Sequence, residues 1–126
     1  MAAFVVAPPV SDLPVTGTQL NIFPGSATPS VFPAGEPFWI GCGFVAEREN
    51  TERFDRDARF ELEVDGEPVV LLTDFKERDG GNPTSKHSIA SFASGLPVGW
   101  HRFAGRWYSG GQLVLTSDRA VQFVES

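Results

Sequence analysis

Residues 95–108 read Gly-Leu-Pro-Val-Gly-Trp-His-Arg-Phe-Ala-Gly-Arg-Trp-Tyr and predict a turn followed by the central strand of the fold. Side chains of a strand alternate between its two faces, so His101, Phe103 and Trp107 share a face that we expect to point into the core. The opposite face carries Trp100, Arg102, Arg106 and Tyr108. A solvent-exposed face does not need so many aromatic residues. This excess indicates either a covering loop or a binding partner.

Turn residues separate short apolar runs along the rest of the chain. Residues 59–65 alternate between charged and apolar, and Asp65-Gly66 then precedes the apolar run 67–72, which is a strong hairpin signal. Further strands are predicted at residues 19–23, 36–45, 87–93, 113–115 and 119–125, and residues 116–118 are expected to interrupt the last two. Polar loops are predicted at residues 46–58 and 74–85. No segment has a helical apolar period. Seven to eight short strands predict an all-β, antiparallel two-layer sandwich.

Composition limits the classes of partner. The chain of 126 residues fits one domain, and no apolar run approaches the roughly 18 residues of a membrane span. Net charge is −6, and residues 47–79 hold twelve acidic and six basic side chains, against four of each elsewhere. This surface would repel phosphates and anionic lipids, so nucleic-acid binding and membrane insertion are not expected. The opening residues lack the features of a signal peptide, which leaves the compartment unassigned.

No catalytic or metal-binding constellation is found in the sequence. Cys42 is the only cysteine, so an intrachain disulfide is excluded and a buried structural thiol is expected. His101 is expected to bond backbone at its strand start, and His87 to be exposed. Five aspartates in or near loops are candidate calcium ligands, but interspersed arginines favour a self-paired, solvated surface. These aspartates are Asp55, Asp57, Asp65, Asp74 and Asp79. We therefore expect no enzyme activity, cofactor or metal.

Three segments carry a family resemblance: residues 62–68 (Leu-Glu-Val-Asp-Gly-Glu-Pro), 95–103 with Trp107, and the terminal Val-Gln-Phe-Val. Together they resemble bacterial and phage immunoglobulin-like or fibronectin-type sandwich modules, over roughly residues 19–125. The resemblance implies an immunoglobulin-like β-sandwich. The chain departs from the antibody type in having one cysteine, with Trp107 near the position of the second. Such a fold implies no particular chemistry.

The apolar, proline-punctuated residues 1–18 form an arm ahead of a single domain at 19–126. The arm is either a frayed terminus or a segment that docks on this subunit or another. We hypothesise a non-catalytic structural or protein-interaction subunit, such as an assembly or decoration component of a phage or surface structure, that meets a protein partner or forms a homo-oligomer through the arm by strand addition. The alternative is a carbohydrate-binding module that binds a glycan through Trp100, Tyr108 and Trp39. The candidate partner-binding residues are Phe4, Val5, Val6, Trp39, Trp100, Arg102, Arg106 and Tyr108.

Overall fold

The computed structural model describes residues 3–6, 15–25, 27–46, 58–77 and 83–125. These residues form ten β-strands and no helix, which confirms the predicted all-β class. The strands are β1 (Ala3–Val6), β2 (Thr18–Gln19), β3 (Val31–Pro33), β4 (Phe38–Ala46), β5 (Arg59–Val64), β6 (Glu67–Pro68), β7 (Leu72–Glu77), β8 (Pro83–Phe92), β9 (Gly99–Ser109) and β10 (Gln112–Val124).

The strands form two sheets that face each other as a sandwich. Sheet I has the order β1-β4-β8-β7, and β2 also pairs with β4. Because β8 occupies one edge of β4, β1 and β2 share the other edge. Sheet II has the order β3-β10-β9-β5-β6. Neighbours are antiparallel except for β2 with β4 and β3 with β10, which are parallel.

Several predicted element bounds need correction. The ten strands exceed the seven to eight predicted, since β2 and β6 have only two residues each and β1 lies in the arm. Residues 74–85 are not simply a loop, because β7 pairs with β8 through six positions. β10 also continues through the interruption predicted at 116–118. There Ser117 points inward and donates to the carbonyl of Ile22, while Asp118 points outward, so both polar residues suit a strand. The predicted charged loop falls mainly on residues 47–57, outside the described residues.

The core lies where Phe38 of sheet I meets the aromatic rings of sheet II. Phe38 is fully buried, and its ring centroid lies 5.4 Å from that of Phe32, 5.5 Å from Phe123 and 6.4 Å from Phe103. Phe92, beside it in sheet I, stacks on its ring at 4.5 Å. Each buried Phe contributes about 1.5–3 kcal/mol through transfer from water, so this cluster is a main source of cohesion between the sheets.

A second part of the core surrounds Trp107. Its indole stacks on Phe60 at 4.8 Å and meets Phe23 edge-on at 5.5 Å. Cys42 is a free, fully buried thiol, as predicted. Burial raises the pKa of this thiol far above its usual range, and the Trp107 indole and the charge of Lys86 oppose the increase only in part. The buried indole nitrogen of Trp107 forms no regular hydrogen bond within the described residues, but it lies close enough to the Cys42 sulfur to affect the pKa of the thiol.

The hairpin predicted at Asp65-Gly66 is confirmed. Asp65 has φ 53° and Gly66 has φ 84°, and the flanking residues Val64 and Glu67 are paired. Two consecutive residues with positive φ are typical of the type I′ turn, which matches the twist of antiparallel strands. The turn holds the Asp65 carboxylate beside the start of β9.

Candidate interaction surface

The outer face of sheet II brings together four of the eight predicted partner-binding residues, Trp100, Arg102, Arg106 and Tyr108. Along β9, Phe103 and Trp107 are buried, while Trp100 and Arg102 are exposed and Arg106 is half-buried. The alternation predicted for residues 100–108 is thus confirmed. These residues are not equally available to a binding partner, however, because Arg102, Arg106 and Tyr108 already contact other side chains of the chain.

Arg102 and Arg106 are both paired across the sheet. Arg102 donates two N–H bonds to Asp118 on β10, and this partner raises the pKa of the guanidinium and lowers that of the carboxyl. On the other side, Arg106 donates to Oε2 of Glu63 on β5 at 2.5 and 3.0 Å. The Arg106–Glu63 pair is half-buried, and cross-strand ion pairs of this kind stabilise a sheet face by about a fraction of a kcal/mol.

Tyr108 belongs to a similar local network at the far end of the face. The guanidinium carbon of Arg59 lies 4.2 Å from the centroid of its ring, and the phenol donates to Glu61 at 3.3 Å. Arg59 also pairs with Glu61 at 3.4 Å. One face of the ring is therefore covered by a side chain of the same protein.

The opposite end of the face has no such pairs among the residues that the structure describes. Val31 on β3, Gln122 on β10 and Trp100 on β9 form one row across three strands. In the next row Pro33 is opposite Val124, and continuing the β10–β9 ladder by one residue sets Val98 beside Val124. We call this cluster the apolar patch, and it consists of Val31, Pro33, Val98, Trp100 and Val124 around Gln122.

Three members of the apolar patch are strongly exposed. Trp100 is 63% exposed, Val98 59% and Val31 49%. Single exposed apolar residues are common on protein surfaces, but neighbouring ones are typical of binding sites. Beside the patch, Val98 also lines an open depression of about 450 Å³. The other lining residues are Ala34, Gly35, Pro97 and Glu125.

His101 fixes the turn that carries part of this surface. Its Nε2 lies 2.8 Å from the carbonyl oxygen of Pro97 and its Nδ1 lies 2.6 Å from Oδ2 of Asp65. The backbone bond predicted at this strand start is thus confirmed. Burial alone lowers the pKa of His101, but the bonds to Asp65 and Pro97 outweigh it and leave the pKa raised. Desolvation alone raises the pKa of Asp65, but the bonds from His101 and the Arg102 amide together outweigh it and leave the pKa lowered.

Trp39 lies elsewhere, on the outer side of sheet I, and is only 9% exposed. The prediction that Trp39 is an exposed aromatic residue is therefore wrong, because its ring packs against Gly41 and the adjacent strand. A Cβ at Gly41 would lie 3.0 Å from the Trp39 ring and 3.1 Å from Ile89. A bulky side chain therefore comes close to the backbone at Gly41, and this contact helps to cover the Trp39 ring.

The arm docks on the chain's own sheet. Phe4, Val5 and Val6 belong to β1, which pairs antiparallel with residues 43–46 of β4. Of the two docking sites considered for the arm, the same subunit or another one, the structure shows the arm on the same subunit. Pairing with another copy stays a prediction. Residues 7–14 and the side chains of β1 lie outside the described part of the chain.

Within the described ranges, no three His, Cys, Asp or Glu side chains are grouped as a metal site would require. Of the aspartates considered for calcium, Asp65 is bonded to His101. Asp55, Asp57 and Asp79, and the side chain of Asp74, lie outside the described residues. No helix in the described part of the chain has the length and apolar character needed to cross a membrane.

Comparisons with protein-family models, curated proteins and solved structures find no match for this chain. The candidate surface is therefore assigned from its own geometry. Sequence reasoning identified Trp100 but missed the rest of the apolar patch. Val31 and Pro33 lie more than 60 residues from Trp100 in the chain, and only the parallel pairing of β3 with β10 brings them together.

Proposed function

We propose that this chain is a non-catalytic, immunoglobulin-like interaction module that binds a protein partner through the apolar patch. The observation that carries this proposal is the division of the outer face of sheet II. One half consists of ion pairs that are satisfied within the chain, and the other half exposes Trp100 next to Val98 and in the same row as Val31. Tryptophan is among the residues that contribute most to binding energy at protein interfaces.

The strand order supports the immunoglobulin-like part of the proposal. Two mainly antiparallel sheets face each other, and a short strand runs parallel to the last strand at one sheet edge. Cys42 on β4 and Trp107 on β9 meet across the core, and Trp107 lies near the position where the antibody type would have its second bridging cysteine. An assembly or decoration role in a phage or surface structure agrees with such a module.

The glycan-binding alternative has less support from the geometry. It needs several exposed rings on one surface, whereas Trp39 is buried in the other sheet and Arg59 covers a face of Tyr108. Trp100 is the remaining ring, and a single ring serves a protein interface equally well.

The arm is a further proposed contact, through exchange of β1 with another copy at the edge of β4.

The proposal is tested by selecting binders from a displayed library of protein fragments with the full chain as bait. Trp100→Ala should weaken the selected binders by at least about 30-fold, the effect of losing a central interface tryptophan. Leu113→Ala is the matched control, because Leu113 is 51% exposed at the distant β9–β10 turn. Both variants should keep the wild-type melting temperature. Trp100-dependent retention on a glycan array without any Trp100-dependent protein binder would overturn the proposal in favour of the alternative.

Exchange of the arm is tested with cysteines at Ala3 and Ala46, which are directly opposite in the β1–β4 ladder. Oxidation of the Ala3→Cys/Ala46→Cys variant should give covalent dimers if β1 is exchanged between copies. Cross-linked monomers at all protein concentrations would show that the arm stays on its own subunit. Each single-cysteine variant serves as the control for nonspecific oxidation.

A further inference from the structure

We propose that the apolar patch docks an extended segment of a partner protein in which an arginine or lysine lies next to apolar residues. This inference rests on the proposed function and names the chemistry of the partner. It combines the size of the patch, the uncompensated acids beside it and the amide at its centre.

The size of the patch favours a segment over a second folded copy. Trp100, Val98 and Val31, the three strongly exposed members, present on the order of a few hundred Å² of accessible surface. A stable interface between folded proteins buries about 800 Å² on each partner. The patch spans three strands, roughly 10 Å, and two side-chain rows about 7 Å apart along each strand. An extended segment places side chains on one face at that same spacing.

The charge beside the patch favours a basic residue in this segment. Glu125 lines the depression next to Val98, and Glu36 follows the lining residue Gly35 in the chain. Both glutamates are exposed and have no ion-pair partner among the described residues. The four arginines of the described ranges, by contrast, all bond to acceptors of the same chain. Among the described residues, this end of the protein is therefore acidic and holds no arginine free to compete for the two glutamates.

The depression has the composition that a long basic side chain requires. Pro97, Val98 and Ala34 provide apolar contacts for its methylene stem, and Glu125 provides a carboxylate for its head. Trp100, next to the depression, offers an exposed ring to an apolar or cationic neighbour in the segment. A partner with an acidic segment would instead place like charges together.

Gln122 supplies the polar contact that an extended backbone needs. Its half-buried side chain lies between Val31 and Trp100 and makes no hydrogen bond within the described residues. A primary amide both donates and accepts, so it matches the N–H and C=O groups of a peptide. Strand addition at the nearby sheet edge, which β3 forms, is disfavoured. The Ser30 carbonyl and the Ala34 N–H are already bonded to β10, and Pro33 has no N–H to offer to an added strand. The segment is therefore expected to lie on the face.

The test is selection of random dodecapeptides displayed on phage with the full chain as bait, followed by affinity measurements on synthetic peptides. Selected peptides should carry arginine or lysine beside apolar residues. Replacing that basic residue by glutamine should weaken binding about tenfold. Glu125→Gln should weaken the basic peptide by about three- to tenfold and leave its glutamine variant unchanged, while Glu67→Gln, an exposed glutamate on β6, is the matched control.

The outcomes separate this inference from the proposed function. Peptides that depend on Trp100 but show no preference for basic residues would overturn the inference and leave the proposed function standing. If Trp100→Ala changes no protein or peptide binding, both fail. A dimer in light scattering that Trp100→Ala converts to a monomer would identify a second copy as the occupant and would also overturn the inference.

Discussion

The bonds of His101 predict that this protein loses stability as the pH rises above neutrality. A neutral imidazole has one N–H, but both ring nitrogens of His101 face acceptors, the Asp65 carboxylate at 2.6 Å and the Pro97 carbonyl at 2.8 Å. Only the imidazolium donates both bonds. Deprotonation therefore breaks one of them and removes the ion pair with Asp65.

The sign follows from the two pKa shifts. The pKa of His101 is raised in the folded state, so its contribution is fully present below the unfolded value near 6.5 and is lost as the pH rises through the folded pKa. The pKa of Asp65 is lowered, so its contribution is present above the unfolded value near 4 and is lost as the pH falls through the folded pKa. The pair stabilises most between about pH 4 and pH 6.5.

The change in the free energy of unfolding depends on one charge-assisted hydrogen bond, between His101 and Asp65, in a partly solvated environment. Such bonds contribute about 1.5–3 kcal/mol. The His101 side chain is only 11% exposed, but that of Asp65 is 47% exposed, and solvent screening reduces the gain. We therefore expect a loss of about 1 kcal/mol in the free energy of unfolding when His101 is deprotonated.

The assay is urea unfolding at pH 5.5 and at pH values between 7 and 9, for the wild type and His101→Gln. The wild type should lose about 1 kcal/mol more than the variant over this range, because glutamine has no charge to lose. His87→Gln is the matched control, since His87 is the only other histidine. An NMR titration should place the folded pKa of His101 above 6.5. Equal losses in the wild type and His101→Gln, or a folded pKa below 6.5, would refute the reasoning.

Three further predictions concern buried residues. Phe38→Ala should lower the free energy of unfolding by about 3–5 kcal/mol in urea denaturation, because the ring joins the two sheets, whereas Val70→Ala at an 89% exposed position should change it little. Cys42 should not react with a thiol reagent at pH 8 in the native protein and should react at once in denaturant, since burial raises its pKa; rapid native labelling would contradict this. Gly41→Ala should cost about 1–3 kcal/mol through its contact with the Trp39 ring, and an unchanged melting temperature would show that the ring moves aside.

Sequence reasoning succeeded where structure depends on neighbouring residues. The Asp65-Gly66 turn needs two residues with positive φ, and Asp-Gly is a pair that adopts it readily. The alternation along residues 100–108 likewise assigned Phe103 and Trp107 to the core without any tertiary information. These features are encoded within a few consecutive residues.

The corrections concern features that depend on distant strands. β7 has no strong apolar alternation, and it forms a strand because β8 offers it a pairing edge. Trp39 reads as an outward residue, as indeed it is, but its burial depends on how the outside of sheet I is covered. The composition of the apolar patch depends on the register between β3 and β10, which no local pattern in either segment specifies.

Folding alone does not account for the apolar patch. Trp100 is 63% exposed, so it gains little from burial, and a threonine or lysine at this position would satisfy an outward-facing strand position equally well. The rest of the same face shows how the chain stabilises such positions, since Arg102 and Arg106 pair with carboxylates on neighbouring strands. At Trp100 the chain instead leaves an apolar ring uncovered beside two exposed valines, although contiguous apolar surface favours aggregation. Binding of a partner would turn this unfavourable exposure into binding free energy, which is why we propose this end of sheet II as the interaction surface.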